Sequence, residues 1–318
     1  MDDLLTTAFR ALSARLGQDP LRVQGPGGNT SIKSDDVMWI KASGTELADA
    51  ETKPIFVAVD RNAAKAEAAG AGDGTCKATV LDPANTLRPS IETTFHAALD
   101  WAVVAHTHSI ATLVHAISPE GRKIAAEKLQ GLPAIFVPYA KPGLPLTQEI
   151  LARAKAETQV IVLENHGLIC CGNSVEEVTR LMEDVEHRLA MPAATPDAPD
   201  GPSRNGFTRI PESWIAHDPR ICDLALNGSY YPDHVVFLGP ALPQGAHDGN
   251  PPVILIPTEG VYLRDGATSS QKAMIQCLSD CLSRLPIDWR VQAIGGEAEA
   301  ELLNWDAEKY RQALAARS

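Results

Sequence analysis

Residues 103–116, VVAHTHSIATLVHA, set an apolar run, a pair of histidines and a helix-like run in direct succession. The chain has 9 histidines among 318 residues, yet His106, His108 and His115 fall within ten positions. Side chains alternate along a strand, so residues i and i+2 leave one face ~6–7 Å apart at Cα. Two imidazoles leaning together from there can share one cation, since Zn–N bonds are ~2.0–2.1 Å. The same spacing also suits a strand end that merely carries polar side chains out of the core. His115 lies on the helical face with Leu113 and Val114 and reads as a core histidine.

The composition is that of an ordinary globular chain, 44% hydrophobic and 21% charged. A formal net charge of −12 argues against a nucleic-acid groove, which needs an excess of Lys and Arg. It leaves room for a small anion held by a few backbone N–H groups. The N-terminus reads as an amphipathic helix, with Leu4, Leu5, Ala8, Leu12 and Leu16 on one side, and not as a signal peptide. No window approaches ~18 uninterrupted apolar residues, so no membrane partner is expected. The 6 cysteines show no CxxC and no disulfide framework, which suits reduced, buried thiols in a cytoplasmic protein.

Four prolines in MPAATPDAPDGPSRNG, residues 191–206, mark a linker between a larger domain at 1–190 and a smaller α/β domain at 207–318. Upstream, strands are expected at 28–33, 36–43, IFVAVD, AVVAHTH and AIFVPYA, with two more around a turn in QVIVLENHGLICCG. Helices are expected at about 61–70, from Ser90 as N-cap, from Ile110, at about 119–130, from Thr147 as cap, and after Ser174 with Glu177 in a capping box. One sheet covered by helices satisfies this order. Downstream, PVILIPTEGVYLR, the helix-like SSQKAMIQCLSDCLSRL and a final helix AELLNWDAEKYRQALAAR indicate a second α/β unit.

A third histidine strengthens the metal reading. His166 follows the apolar run VIVL with a glycine behind it, and a pocket of strand ends can bring it to the pair. Three imidazoles with an open fourth position mark a catalytic site. His96 competes as a ligand, since Glu92 and His96 stand at i, i+4. Glu92, near a helix start, suits the dipole and is also placed as a proton-transfer group; we read it as an unligated base. QGPGGNTS lacks both the Walker and the GxGxxG spacing. Gly27, Gly28 and Asn29, with Ser43, Gly44 and Thr45 and with Arg88 and Ser90, can still cradle an anion.

Taken in order, GGNTSIK, ASGTEL, PSIETTFHAAL, VVAHTHS, VPYAKPG and LENHGLI resemble the class II aldolase/adducin family over approximately residues 3–190. That family includes L-fuculose-1-phosphate and L-rhamnulose-1-phosphate aldolases and L-ribulose-5-phosphate 4-epimerase. The resemblance implies a three-layer α/β/α domain around a mostly antiparallel sheet, commonly in a cyclic homotetramer with the active site between subunits. It implies His106, His108 and His166 as zinc ligands, with Mn2+ or Co2+ as possible substitutes, and Glu92 as catalytic acid/base. It implies Tyr139 as a proton donor reaching a neighbouring subunit, and Gly28, Asn29, Ser43, Gly44 and Ser90 as the phosphate pocket. The implied reaction is reversible cleavage of a ketose or sugar-acid derivative, a sugar phosphate or sugar acid, through a zinc-stabilised enediolate, with Glu92 tuned upward by burial. The epimerase branch has aspartate where this chain has Glu92. Decarboxylation of a 3-oxo sugar-acid phosphate, or dehydration of a sugar phosphate, is the alternative on the same residues; a non-catalytic adducin-like module is a second. The sugar-phosphate aldolases read Ser-Ser-Glu where this chain has Ser90-Ile91-Glu92. The C-terminal part is similar, more loosely, to the aldolase half of bifunctional rhamnulose-phosphate aldolase/short-chain dehydrogenase proteins.

Overall fold

The computed structural model describes residues 4–245 and 251–316. Helix α1 (Thr7–Gln18) starts where Thr6 accepts the Phe9 N–H through its side chain. Because it starts there, Leu4 and Leu5 precede it, Ala8 is exposed, and Phe9, Leu12 and Leu16 form the buried face. Leu4 and Leu5 still pack against the cluster of Leu12 and Leu16, so of the expected face only Ala8 departs. Strands β1 (Asn29–Lys33), β2 (Val37–Lys41) and β3 (Phe56–Asp60) follow, then α2 (Arg61–Ala68) and α3 (Thr93–Ala98). Strand β4 (Val103–Thr107) leads into α4 (Ile110–Ala116) and α5 (Pro119–Lys128). Strand β5 (Ala134–Val137), α6 (Leu144–Leu151), β6 (Val160–Leu163), β7 (Gly167–Gly172) and α7 (Val175–Leu189) complete this half.

The seven strands form one sheet in the order β3-β2-β1-β4-β7-β6-β5. Only β5 and β6 run parallel within it; the other neighbours are antiparallel. Alternation along β4 shows how the layers arise. Val103 and Ala105 pack with Phe9, Leu12, Met182 and Val185 of α1 and α7, whereas Val104 packs with Phe95, Leu146 and Ile150 of α3 and α6. Two helical layers therefore enclose a mostly antiparallel sheet, the expected fold class. His106 shares the parity of Val104 and meets the Phe95 ring edge-on at 6.0 Å. That parity puts it on the α3 side, where Glu92 is.

Two helix starts and one capping box differ from expectation. Glu92, not Ser90, stands at the cap position of α3; the Ser90 hydroxyl instead accepts the Glu92 N–H at 3.2 Å. Helix α6 begins after Gly143, and Thr147 sits inside it, pairing its hydroxyl with Thr94 at 2.6 Å. Ser174 does cap α7, but the Glu177 carboxylate takes the Asn173 N–H and the Gln159 amide, so the reciprocal half of the capping box is not made.

Residues 190–203 hold no helix or strand. Beyond them come β8 (Phe207–Arg209), α8 (Pro219–Asn227), α9 (Pro232–Leu238), β9 (Val253–Ile256), β10 (Gly260–Arg264) and α10 (Ser269–Leu282). The strands make a small antiparallel sheet, β8-β10-β9. The expected single last helix is two, α11 (Gly296–Leu303) and α12 (Asp306–Ala315), interrupted where Trp305 turns extended under the Lys141 ammonium. Ile110, Leu113, Val114 and Ile117, in and just after α4, join one hydrophobic cluster with Trp214, Tyr231, Val253 and Leu278. Helix α4 thus belongs to two cores at once, and it begins immediately after His108. All six cysteines are free and buried. Among the described residues no helix is long and apolar enough to cross a membrane.

Candidate metal centre

Register brings the histidines together. His106, inside β4, pairs with Asn29 of β1 on one side and Ile169 of β7 on the other. His108 follows two residues later at the strand end. His166 sits in the tight β6–β7 turn, where Leu163 pairs with Gly167 and Asn165 adopts a left-handed conformation, φ 53°. The candidate ligand atoms of His106, His108 and His166 lie within 4.8 Å of one another, all three buried. His96 lies outside this group, and so does His115, which donates from Nδ1 to the Ala111 carbonyl and packs on Trp289.

Glu92 faces the cluster. Its two oxygens stand 3.5 Å from Nε2 of His106 and 3.5 Å from Nε2 of His166. His106 donates from Nδ1 to the Leu168 carbonyl at 3.0 Å, an assignment that leaves the Nε2 lone pair turned inward. Among the described residues, His106 Nε2 and Glu92 Oε1 are buried with no hydrogen-bond partner. Orphaned buried acceptors of this kind are rare, and here they converge with two further imidazoles. Three clustered imidazoles are a donor set for Zn2+ and related divalent ions, and the carboxylate stands beside them. Burial holds His108 and His166 low, to about 3, so both rings are neutral and fit to ligate at pH 7.

The Glu92 carboxyl departs from expectation. Burial pushes its pKa up, but His106, His166, the Asn29 amide and Arg311 together bring it below the usual carboxylate value. The expected upward tuning is therefore reversed, because the pocket surrounds this carboxylate with hydrogen-bond donors and positive charge as well as apolar walls. Asn29 donates to Glu92 Oε2 at 2.8 Å and to the Ser90 hydroxyl at 3.1 Å. Its own carbonyl accepts from His96 Nε2, while Ser31 bonds His96 Nδ1 at 2.7 Å. His96, weighed as a metal ligand, instead sets which way the Asn29 amide faces.

Gly28, Asn29, Ser43, Gly44, Ser90 and Glu92 line one cavity with His108 and His166. Its volume is about 30 Å³, roughly one water. Three residues that no sequence motif singles out close it: Lys41, Asp233 and Arg311. The Lys41 ammonium donates to the carbonyls of Pro26 (3.1 Å) and Thr45 (2.6 Å); burial, with Arg311 nearby, lowers its pKa to about 7. Arg311, from α12, forks onto both oxygens of Asp233 at 2.8 and 3.0 Å and also reaches Glu308. A second cavity of about 600 Å³ shares Ser43, Ile91 and Pro142 with the first and is walled by Arg88, Lys141, Trp305 and Tyr310. Tyr139 stands apart, its buried hydroxyl unpartnered among the described residues, beside Glu301 in a different cavity.

Residues 9–192 match the family described as the Class II Aldolase and Adducin N-terminal domain, and the chain belongs to that family. The N-terminal class II aldolase domain of a conserved protein from Thermoplasma acidophilum superposes on 59% of this chain and 92% of its own, with 28% identity and a TM-score of 0.52. An L-fuculose phosphate aldolase of Methanocaldococcus jannaschii is 27% identical over 178 residues, 53% of this chain and 85% of the relative. The Bacillus subtilis protein "Uncharacterized oxidoreductase YuxG" is 29% identical over 180 residues, 51% of this chain; the match spans only 25% of that protein's length. A 3-oxo-tetronate 4-phosphate decarboxylase of Escherichia coli is 39% identical over 51 residues, 16% of this chain and 24% of its own.

Proposed function

We propose that this chain is a metal-dependent aldolase that reversibly cleaves a ketose or sugar-acid derivative bearing a phosphate or carboxylate. The observation that carries this reading is the Glu92 carboxylate set against the Nε2 atoms of two of three clustered histidines. His106, His108 and His166 would hold the ion, zinc foremost. When bound, it would supply Lewis acidity to a substrate carbonyl. Glu92 moves the proton at the substrate carbon, and the Asn29–His96–Ser31 chain fixes which oxygen is free to do so. Gly28, Asn29, Ser43, Gly44 and Ser90 bind the substrate's anionic end, and the larger cavity beside Arg88 and Lys141 admits the rest of its carbon chain. Tyr139 serves as a proton donor across a subunit interface in a homo-oligomer, with residues 1–190 as the catalytic domain.

Glu92→Gln is expected to keep metal affinity while turnover falls by ~10²–10⁴; His108→Ala, with His106 and His166 left, is expected to bind the metal far more weakly than wild type. The check is metal analysis beside a cleavage assay over a panel of ketose phosphates and sugar acids. Near-normal turnover of Glu92→Gln on a cleaved substrate would remove the proposed base. Decarboxylation is the second reading, supported by the short match to the tetronate-phosphate decarboxylase, 39% identical over 51 residues. Carbon dioxide release without aldehyde would select it.

A further inference from the structure

His106 and His108 are not supported in the same way. The outer nitrogen of His106 is tied to a backbone carbonyl of its own sheet, Leu168. Nδ1 of His108 faces Asp233 Oδ2 at 3.4 Å, a residue 125 positions further on, in α9. A metal-binding histidine almost always donates its other ring N–H to an acceptor, which fixes the tautomer and the ring's direction. Asp233 has the rigidity that such an acceptor requires. It is 2% exposed, and the Arg311 guanidinium grips both of its oxygens, itself held by Glu308 at 2.8 Å. The packing leaves this approach clear. A Cβ at Gly27 would stand 2.8 Å from His108 Nδ1 and 3.0 Å from Asp233 Oδ2, so only a glycine lets the two groups meet.

We propose that Asp233 is a positioning residue for the metal centre: its carboxylate, clamped by Arg311, accepts from His108 Nδ1 and turns Nε2 towards the ion. The C-terminal half then supplies the outer support of a ligand carried by the N-terminal half. This rests on the metal-site reading above and adds to it a role for a region outside the family match, which ends at residue 192.

The test is metal affinity of the full chain, by chelator competition with Zn2+ and by the visible absorption of bound Co2+. Asp233→Ala is expected to weaken binding ~10–100-fold and to alter the Co2+ spectrum. In a His108→Ala background the same change is expected to cost nothing further, since the two act through one contact. Arg311→Met, which releases the clamp on Asp233, is expected to weaken metal binding in the same direction as Asp233→Ala. Should Asp233→Ala strand the Arg311 charge and fail to fold, the pair Asp233→Ala/Arg311→Met removes both charges, and the same 10–100-fold loss is expected of it. Affinity within twofold of wild type in whichever Asp233 variant folds would overturn the proposal, as would an equal loss in the His108→Ala background. A wild-type chain that binds no divalent ion would sink the metal-site reading itself, a different result from a wild-type chain that binds and an Asp233 variant that binds equally well.

Discussion

At the residue scale the candidate site depends on small side chains as much as on its three clustered histidines. Gly28 has φ +58°, and a Cβ there would lie 2.8 Å from the His106 carbonyl. Gly28→Ala therefore combines a left-handed strain with a clash against β4, and is expected to destabilise by about 1–3 kcal/mol, measured by urea unfolding. His106, His108, His166 and Glu92 are legible in the sequence because each sits in a short motif with a chemical reason for its spacing. Asp233 and Arg311 are not. Nothing in the periodicity of residues 229–240 or 306–316 distinguishes a carboxylate and a guanidinium that face a site from a pair on a solvated face. Lys41 is hidden for a related reason, since a lysine at the end of a strand is ordinarily exposed.

At the scale of elements, caps and breaks decide where side chains point. Ser174 begins α7 by accepting the Glu177 N–H at 3.2 Å, and Ser174→Ala is expected to cost about 1 kcal/mol, read as a lower denaturation midpoint with unchanged m. Strand positions are legible to within a residue or two in β4 and β7, where apolar runs end at small or polar residues. Helix starts are less so. Ser90 looks like a cap by residue type, but its hydroxyl is taken by the turn that lifts Glu92 to the cap position. The apolar spacing of the final helix carries straight through Trp305, while the structure breaks it there, with Trp305 extended beneath Lys141.

At the scale of the whole molecule, α4 couples the two halves. Leu113 is fully buried in a cluster with residues of α8, α9 and α10. Leu113→Ala is expected to cost about 2–5 kcal/mol, with both halves losing stability together in tryptophan fluorescence and far-ultraviolet dichroism. Burial also sets a pH dependence. It lowers His115 and His234 to about 4 each, below an unfolded value of about 6.5. The unfolded chain then binds more protons between those limits, so the contribution is complete above pH 6.5 and is lost as pH falls towards 4. The loss is up to about 3 kcal/mol per histidine. His234→Gln is expected to flatten the slope of unfolding free energy over that range; an unchanged slope would show that His234 is not buried neutral.

The sequence by itself determined an order of strands and helices that one helix-covered sheet satisfies, and it singled out the three histidines and the carboxylate, because strand alternation and short motifs are local properties of the chain. The three-layer form came with the family resemblance. Only the tertiary structure decided that His96 orients Asn29, that Glu92 titrates low, and that α9 and α12 reach the site. Those outcomes depend on charges and hydrogen bonds between residues tens to hundreds of positions apart, and such pairings leave no period in the sequence.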